Sequence, residues 1–184
     1  MDNAIEIKNL TKRYKDVTAV DDLTLSVGKG ELFALLGVNG AGKTTLAKML
    51  SCLILPTSGS AEVLGCDVIK EPEKVKEVIA ISPQETAVAK NLSVKENLEL
   101  MAGAHGFDKE KRKRKVNELI SEFGLEEVRD KYAGKLSGGW QRRLSIAMAL
   151  IGEPKVLFLD EPTLGLDVIA RSELWDIIRS LKGK

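Results

Sequence analysis

The chain has 184 residues, carries 28 Lys plus Arg against 27 Asp plus Glu, and is 43% apolar. That length buries a core without disulfide staples, and a formal net charge of +1 lacks the footprint of a dedicated nucleic-acid binder, so any phosphate partner must be held by a local site. Cys52 and Cys66 form no CxxC and His105 is the single histidine, so the usual ligands cannot build a metal cluster; two buried thiols in a reducing cytosol are expected.

Taken in chain order, Ile5 and Ile7, then Leu23, Leu25 and Val27, alternate with polar residues and predict short half-buried strands around the turn-rich KRYKDVT segment. The early acidic residues do not fit a secretory signal, and the longest apolar stretches, LFALLG and LILP, are far too short to cross a bilayer. Glu31 to Leu36 (ELFALL) is a near-continuous apolar run, as is Val156 to Leu159 (VLFL); both predict strands covered on two faces in a mostly parallel α/β sheet. LAKMLSCLIL predicts a helix after the first of them. Residues 91–150 read as a mainly helical insertion: Ser93 with Glu96 makes a capping box, and Val116, Leu119, Ile120 and Phe123 recur at helical spacing. The basic run Lys109 to Lys115 is expected on the solvated face of that helix, Trp140 and Trp175 in packing or interfaces, and His105 at an exposed helix end. SELWDIIRSL predicts a last helix, and the whole reads as one domain with two lobes, 1–90 plus 151–184 and about 91–150.

The run Gly37-Val38-Asn39-Gly40-Ala41-Gly42-Lys43-Thr44-Thr45 matches GxxxxGK[ST] between a predicted strand and a predicted helix. Its glycines let successive amides turn inward as an anion nest at a helix N-terminus, while Lys43 adds positive charge for β- and γ-phosphates and Thr44 a hydroxyl for Mg²⁺. Asp160 and Glu161 end the second apolar strand, at the carboxyl end where open α/β sheets place their ligands. Asp160 is expected to hold the magnesium shell, and Glu161, one residue further out, to polarise a water against the γ-phosphate. An acidic pair before the Pro162 turn is common by itself; with the phosphate loop it supplies the two halves of a nucleotide-hydrolysing centre.

In Leu136-Ser137-Gly138-Gly139-Trp140-Gln141, Ser137 can cap the following helix while Gly138 and Gly139 clear space for an anion at its positive end. With LSGGWQRRL preceding VLFLDEP, the sequence resembles an ABC-type ATPase, the nucleotide-binding domain of an ABC transporter, over nearly the whole chain. The resemblance implies an α/β fold, a P-loop NTPase (RecA-like) core with an N-terminal antiparallel β subdomain and a helical insertion, using ATP and Mg²⁺. It implies that Gly37 to Thr45 bind the nucleotide, that Tyr14 stacks on adenine, and that Gln84 in ISPQE is the Q-loop glutamine that touches Mg²⁺ and senses the membrane partner. The implied catalytic residues are Glu161, Lys43 and Gln84, with Thr44, Gln84 and Asp160 at the metal. Ser137, Gly138, Gly139 and Gln141 would face the ATP of an opposing subunit, a homodimer mate or sister domain, and Gly165-Leu166-Asp167 resembles the D-loop that lies across that interface. A separate transmembrane permease subunit is the other implied partner, with the chain peripheral on the inner face of the cell membrane and no nucleic acid bound.

The sequence departs from the family after the D-loop. Family members continue with another strand, placed between those bearing Lys43 and Asp160, and then a switch histidine; the chain stops at Lys184, and His105, inside the helical insertion, cannot substitute. A chain lacking its C-terminal part is therefore expected, with weak nucleotide binding and little turnover when tested as it stands. The stretch from LSGGWQRRL to SELWDII looks most like export-type members that move drugs, lipids or ions. Two alternatives stand beside transport: a soluble ABC-type ATPase acting on ribosomes or DNA, whose usual tandem domains or long coiled coil are missing, and a non-hydrolysing interaction module, which the retained Glu161 argues against. A GTPase is disfavoured by the absence of NKxD.

Overall fold

The computed structural model describes residues 3–182, in two compact units: 3–79 with Lys182, and Ala80–Leu181. In the first unit the apolar alternation Ile5, Ile7 breaks at Leu10, and the chain absorbs the odd spacing with a bulge. Strand β1 (Asn3–Tyr14) pairs antiparallel with β2 (Val17–Gly28), setting Ile5 against Val27, Ile7 against Leu25 and Leu10 against Leu23, with the register slipping between Ile7 and Leu10. Asn9 takes up the extra residue at φ 51; its amide donates to Thr24 Oγ1 (3.0 Å) and its side-chain nitrogen to Asp22 Oδ1 (2.9 Å). Ile5, Ile7 and Leu10 are all buried as a result. The other edge of β1 carries β3 (Ser58–Val63), which pairs in turn with β4 (Cys66–Asp67), giving the order β2-β1-β3-β4. Both early strands are longer than the short ones expected.

Helix α1 (Lys43–Leu50) packs on β2 and β3 with Leu46, Met49 and Leu50 buried, and α2 (Pro72–Val78) packs on β4 with Val75 buried. The predicted helix over LAKMLSCLIL ends early: Ser51 is its C-cap, Cys52 has φ 58, and Leu53 and Leu55 are exposed. Cys52 and Cys66 are free and half-buried rather than fully buried; burial still pushes the Cys52 thiol above its usual pKa, against the opposing pull of Lys76.

The strand expected over Glu31 to Leu36 does not form. Leu32, Phe33 and Leu35 are exposed and Leu36 is 90% exposed. A strand exists only as one side of a hydrogen-bonded ladder, and among the described residues no strand pairs with this run. At its start Glu31 folds back on Gly28, its amide donating to the Gly28 carbonyl (3.3 Å) and its carboxylate accepting from the Gly28 amide (2.8 Å).

The second unit is built mainly from helices around a pair of strands. Strand β5 (Ile79–Ser82), which begins at its boundary, pairs with β6 (Val156–Leu159), the one of the two predicted apolar strands that forms. Helices α3 (Val94–Ala104), α4 (Lys109–Glu122), α5 (Gly138–Ala149) and α6 (Val168–Ser180) pack with α3 against α4 and α5, and α5 against α6. The Ser93 and Glu96 capping box is present, and Val116, Leu119, Ile120 and Phe123 join Leu98, Leu144, Ile146, Leu174 and Ile178 in one buried core. Trp140 and Trp175 pack partly buried against it, and His105 is the exposed C-cap of α3. Lys109, Lys113 and Arg114 face solvent as expected, but Lys111 and Lys115 reach Glu153 (3.3 and 3.6 Å), Lys111 first among the causes that hold its carboxyl below the ordinary range.

Candidate functional site

In the first unit the loop from Gly37 to Gly42 closes on its own backbone. Gly42 is the N-cap of α1 at φ 84, and a Cβ there would stand 2.1 Å from the Ala19 carbonyl oxygen, so glycine alone fits. The Ala41 amide donates to the Val38 carbonyl (3.1 Å), and the first α1 bond runs from the Leu46 amide to the Gly42 carbonyl (2.8 Å). Lys43 lies at the start of that helix with its ammonium donating to the Gly37 (2.8 Å) and Val38 (3.1 Å) carbonyls, which curls the loop around a cation at the positive end of a helix dipole. Val38, Asn39, Gly40, Ala41 and Thr44 are exposed, and Thr45 is half-buried. A tight glycine-closed turn, a lysine inside it and a hydroxyl at the helix start together fit a polyphosphate with its divalent cation.

Tyr14 belongs to the same neighbourhood. It pairs with Val17 at the end of the β1–β2 hairpin, and Ala19 and Val20, two and three residues further along β2, are those that crowd Gly42. Its ring is 46% exposed with the Lys12 ammonium 5.0 Å from the centroid, so an aromatic face remains accessible for stacking.

In the second unit Asp160 follows β6 directly, and its amide donates to the Ser82 carbonyl (3.0 Å) at the end of β5. Glu161 has φ 45, an uncommon conformation for a residue with a side chain. Gln84, two residues past β5, is exposed. Ser137 is the N-cap of α5, yet its hydroxyl makes no capping bond; Ser137 and Gly138 are exposed, and Gly139 sits where a Cβ would meet the Ala170 Cβ at 3.2 Å. The Gln141 side-chain nitrogen donates to the Leu136 carbonyl (3.1 Å), bracing the turn that starts the helix. Asp167 caps α6, accepting from the Ala170 amide (2.9 Å). Thus the structure gathers Tyr14 with Gly37 to Thr45 in one unit, and Gln84, Asp160 and Glu161 with the signature helix in the other.

Two residues that sequence reasoning passed over tie these segments together. Arg142, 4% exposed, donates from α5 to the carbonyls of Pro162 (2.9 Å), Asp160 (2.7 Å), Gln84 (3.2 Å) and Pro83. Burial lowers its pKa and the Asp160 carboxylate pulls it back up; the guanidinium stays a cation at any working pH. The signal in the sequence was its place one turn before the buried Ser145 and Ile146. Asn97, fully buried, accepts from the Ala89 amide (2.8 Å) and donates to the carbonyls of Ala89 (3.1 Å), Leu92 (3.2 Å) and Ser93 (2.9 Å), pinning the segment that follows Gln84.

A glycine-closed loop at a helix N-terminus with a lysine folded into it marks a nucleotide-binding protein of the P-loop NTPase fold. The chain belongs to the ABC transporter family, which matches residues 20–164, a family of ATPases that bind ATP with Mg²⁺. It is similar to the daunorubicin resistance ATP-binding protein DrrA3 of Streptomyces coeruleorubidus, at 43% identity over 99% of this chain and 58% of that one. The probable multidrug ABC transporter ATP-binding protein YbhF of Escherichia coli (strain K12) is 38% identical over 100% of this chain and 32% of its own length. Among solved structures, cbiO1 from Clostridium perfringens, part of the ABC transporter complex cbiONQ, has a TM-score of 0.91 and 29% identity, over 99% of this chain and 74% of that one. The chain spans little more than half the length of the drug-resistance relatives. Among the described residues no helix is long and apolar enough to cross a membrane.

Proposed function

We propose that this chain is the ATP-binding and ATP-hydrolysing part of an export-type transporter, energising a separate membrane-spanning permease from the cytoplasmic face of the membrane. The observation that carries the proposal is the loop closed at Gly42 around the Lys43 ammonium; the family's ATPase character and the drug-resistance names of similar proteins support the rest.

Gly37 to Thr45 wrap the phosphates, Lys43 offsets their charge, and Tyr14 stacks on the base. Thr44, Asp160 and Gln84 would hold Mg²⁺, which when bound would neutralise phosphate charge. Glu161 orients a water in line with the γ-phosphorus and takes its proton as the bond to the β-phosphate oxygen breaks; a general base of this kind contributes about 10² to 10⁴ in rate. Ser137, Gly138, Gly139 and Gln141 act on the nucleotide of a second ATPase domain, and Asp167, by capping α6, sets the path of the D-loop. Two such domains would close on bound nucleotide and separate after hydrolysis.

Titration with a fluorescent ATP analogue tests the binding half: Lys43→Ala is expected to weaken affinity about tenfold or more by removing the side-chain cation folded into the loop's carbonyls, and unchanged affinity would overturn the site. Affinity isolation of the native protein tests the transport half. A membrane-spanning companion is expected; recovery with ribosomes in its place would overturn it.

A further inference from the structure

We propose that Arg142 is a positioning residue for hydrolysis: from the signature helix α5, its guanidinium holds the carbonyls of Asp160 and Pro162, the residues before and after Glu161, together with the backbone of Gln84, and so keeps the general base in its left-handed conformation. The inference rests on Glu161 being the base. Asp160 and Pro162 flank Glu161 in the chain, and Arg142 donates to the carbonyl of each, at 2.7 and 2.9 Å. The same fork donates to the Gln84 carbonyl at 3.2 Å and to that of Pro83.

Three features separate this arrangement from ordinary packing. First, Glu161 has φ 45, and a residue with a side chain persists there only when its surroundings over-determine it. A cation bonded to the carbonyl of the residue before it and to that of the residue after it restrains the backbone on both sides. Second, α5 has no need of Arg142 for its own anchorage: Leu144, Ile146 and Ala147 are fully buried in the core, and Ser145 Oγ meets Ser82 Oγ at 3.4 Å. An apolar side chain would fill the site at lower desolvation cost, so a buried guanidinium is explained by the acceptors it serves. Third, every acceptor lies within one residue of Gln84, Asp160 or Glu161, and the donor sits on the helix whose N-cap is Ser137. A planar fork of five donors reaches several carbonyls at once; a lysine ammonium does not hold that geometry.

The test uses the complete gene product and compares Arg142→Lys, Arg142→Ala and Glu161→Gln by ATP-analogue binding, thermal melting and steady-state hydrolysis, with rates normalised to nucleotide-binding sites. Arg142→Lys and Arg142→Ala are expected to lower kcat about tenfold to a hundredfold while KM for ATP changes by about twofold at most. Added guanidinium ion is expected to restore part of the Arg142→Ala rate and none of the Glu161→Gln rate. If Arg142→Ala yields no folded protein, the kcat and KM of Arg142→Lys decide. Full kcat per binding site in the Arg142 variants, or a loss confined to KM, overturns the proposal. If Glu161→Gln loses turnover while the Arg142 variants keep theirs, only the positioning role fails; if Glu161→Gln turns over normally, the base assignment fails and the positioning role with it.

Discussion

At the scale of single residues, Gly42 shows how covalent geometry makes a binding loop. At φ 84, with a Cβ position 2.1 Å from the Ala19 carbonyl, alanine there strains the backbone and drives the helix start off β2. Gly42→Ala is expected to cost about 2 kcal/mol or more and to abolish nucleotide binding, checked by urea melts and analogue titration. Asn97 is the counterpart in the second unit. The carbonyls of Ala89, Leu92 and Ser93 also accept from the amides of Leu92, Ala133 and Asn97, so Asn97→Ala is expected to cost about 1–3 kcal/mol in the same melts, chiefly through the bond that the Ala89 amide loses. The two differ in how visible they are beforehand. Gly42 sits in GxxxxGK[ST], where spacing alone states the chemistry. Arg142 and Asn97 act on carbonyls and amides of loops, and Arg142 bonds residues as distant as Pro83, so its place one turn before Ser145 and Ile146 hints at burial without naming the acceptors it meets.

At the scale of elements, local signals were readable and non-local ones were not. The α3 capping box and the α4 stripe follow from spacing within one helix and appear as expected. ELFALL has the composition of a covered strand, but a ladder partner is a property of the rest of the chain, and that run stays exposed among the described residues. The bulge at Asn9 was hidden for a similar reason: Gly59 of β3 lies so close that a Cβ would come within 2.2 Å of the Asn9 carbonyl, a contact between strands. The capping box makes an acid-stability prediction. The Ser93 amide donates to the Glu96 carboxylate and holds its pKa below the ordinary value. A depressed folded pKa stabilises above the unfolded value of about 4.3, and that contribution is lost as pH falls through the folded pKa. Thermal melts of Glu96→Gln and the wild type are therefore expected to differ most near about pH 6 and to converge toward about pH 3.

At the scale of the whole molecule, the proposed site residues fall in two units: Tyr14 and Gly37 to Thr45 in one, Gln84, Ser137 to Gln141 and Asp160-Glu161 in the other. The exposed Leu32, Phe33, Leu35 and Leu36 give the 184-residue chain an apolar surface that favours self-association. Leu36→Lys is expected to lower its concentration-dependent light scattering. The family was legible in the sequence because its motif residues are contiguous; the bonds of Arg142 around Glu161 emerged only when β5, β6 and α5 came together. The central claim is that this protein hydrolyses ATP with Glu161 as base, and phosphate release by the complete gene product carrying Glu161→Gln tests it most directly. The account predicts that the variant binds ATP as the wild type does and loses at least about a hundredfold in turnover; wild-type turnover by Glu161→Gln would contradict it.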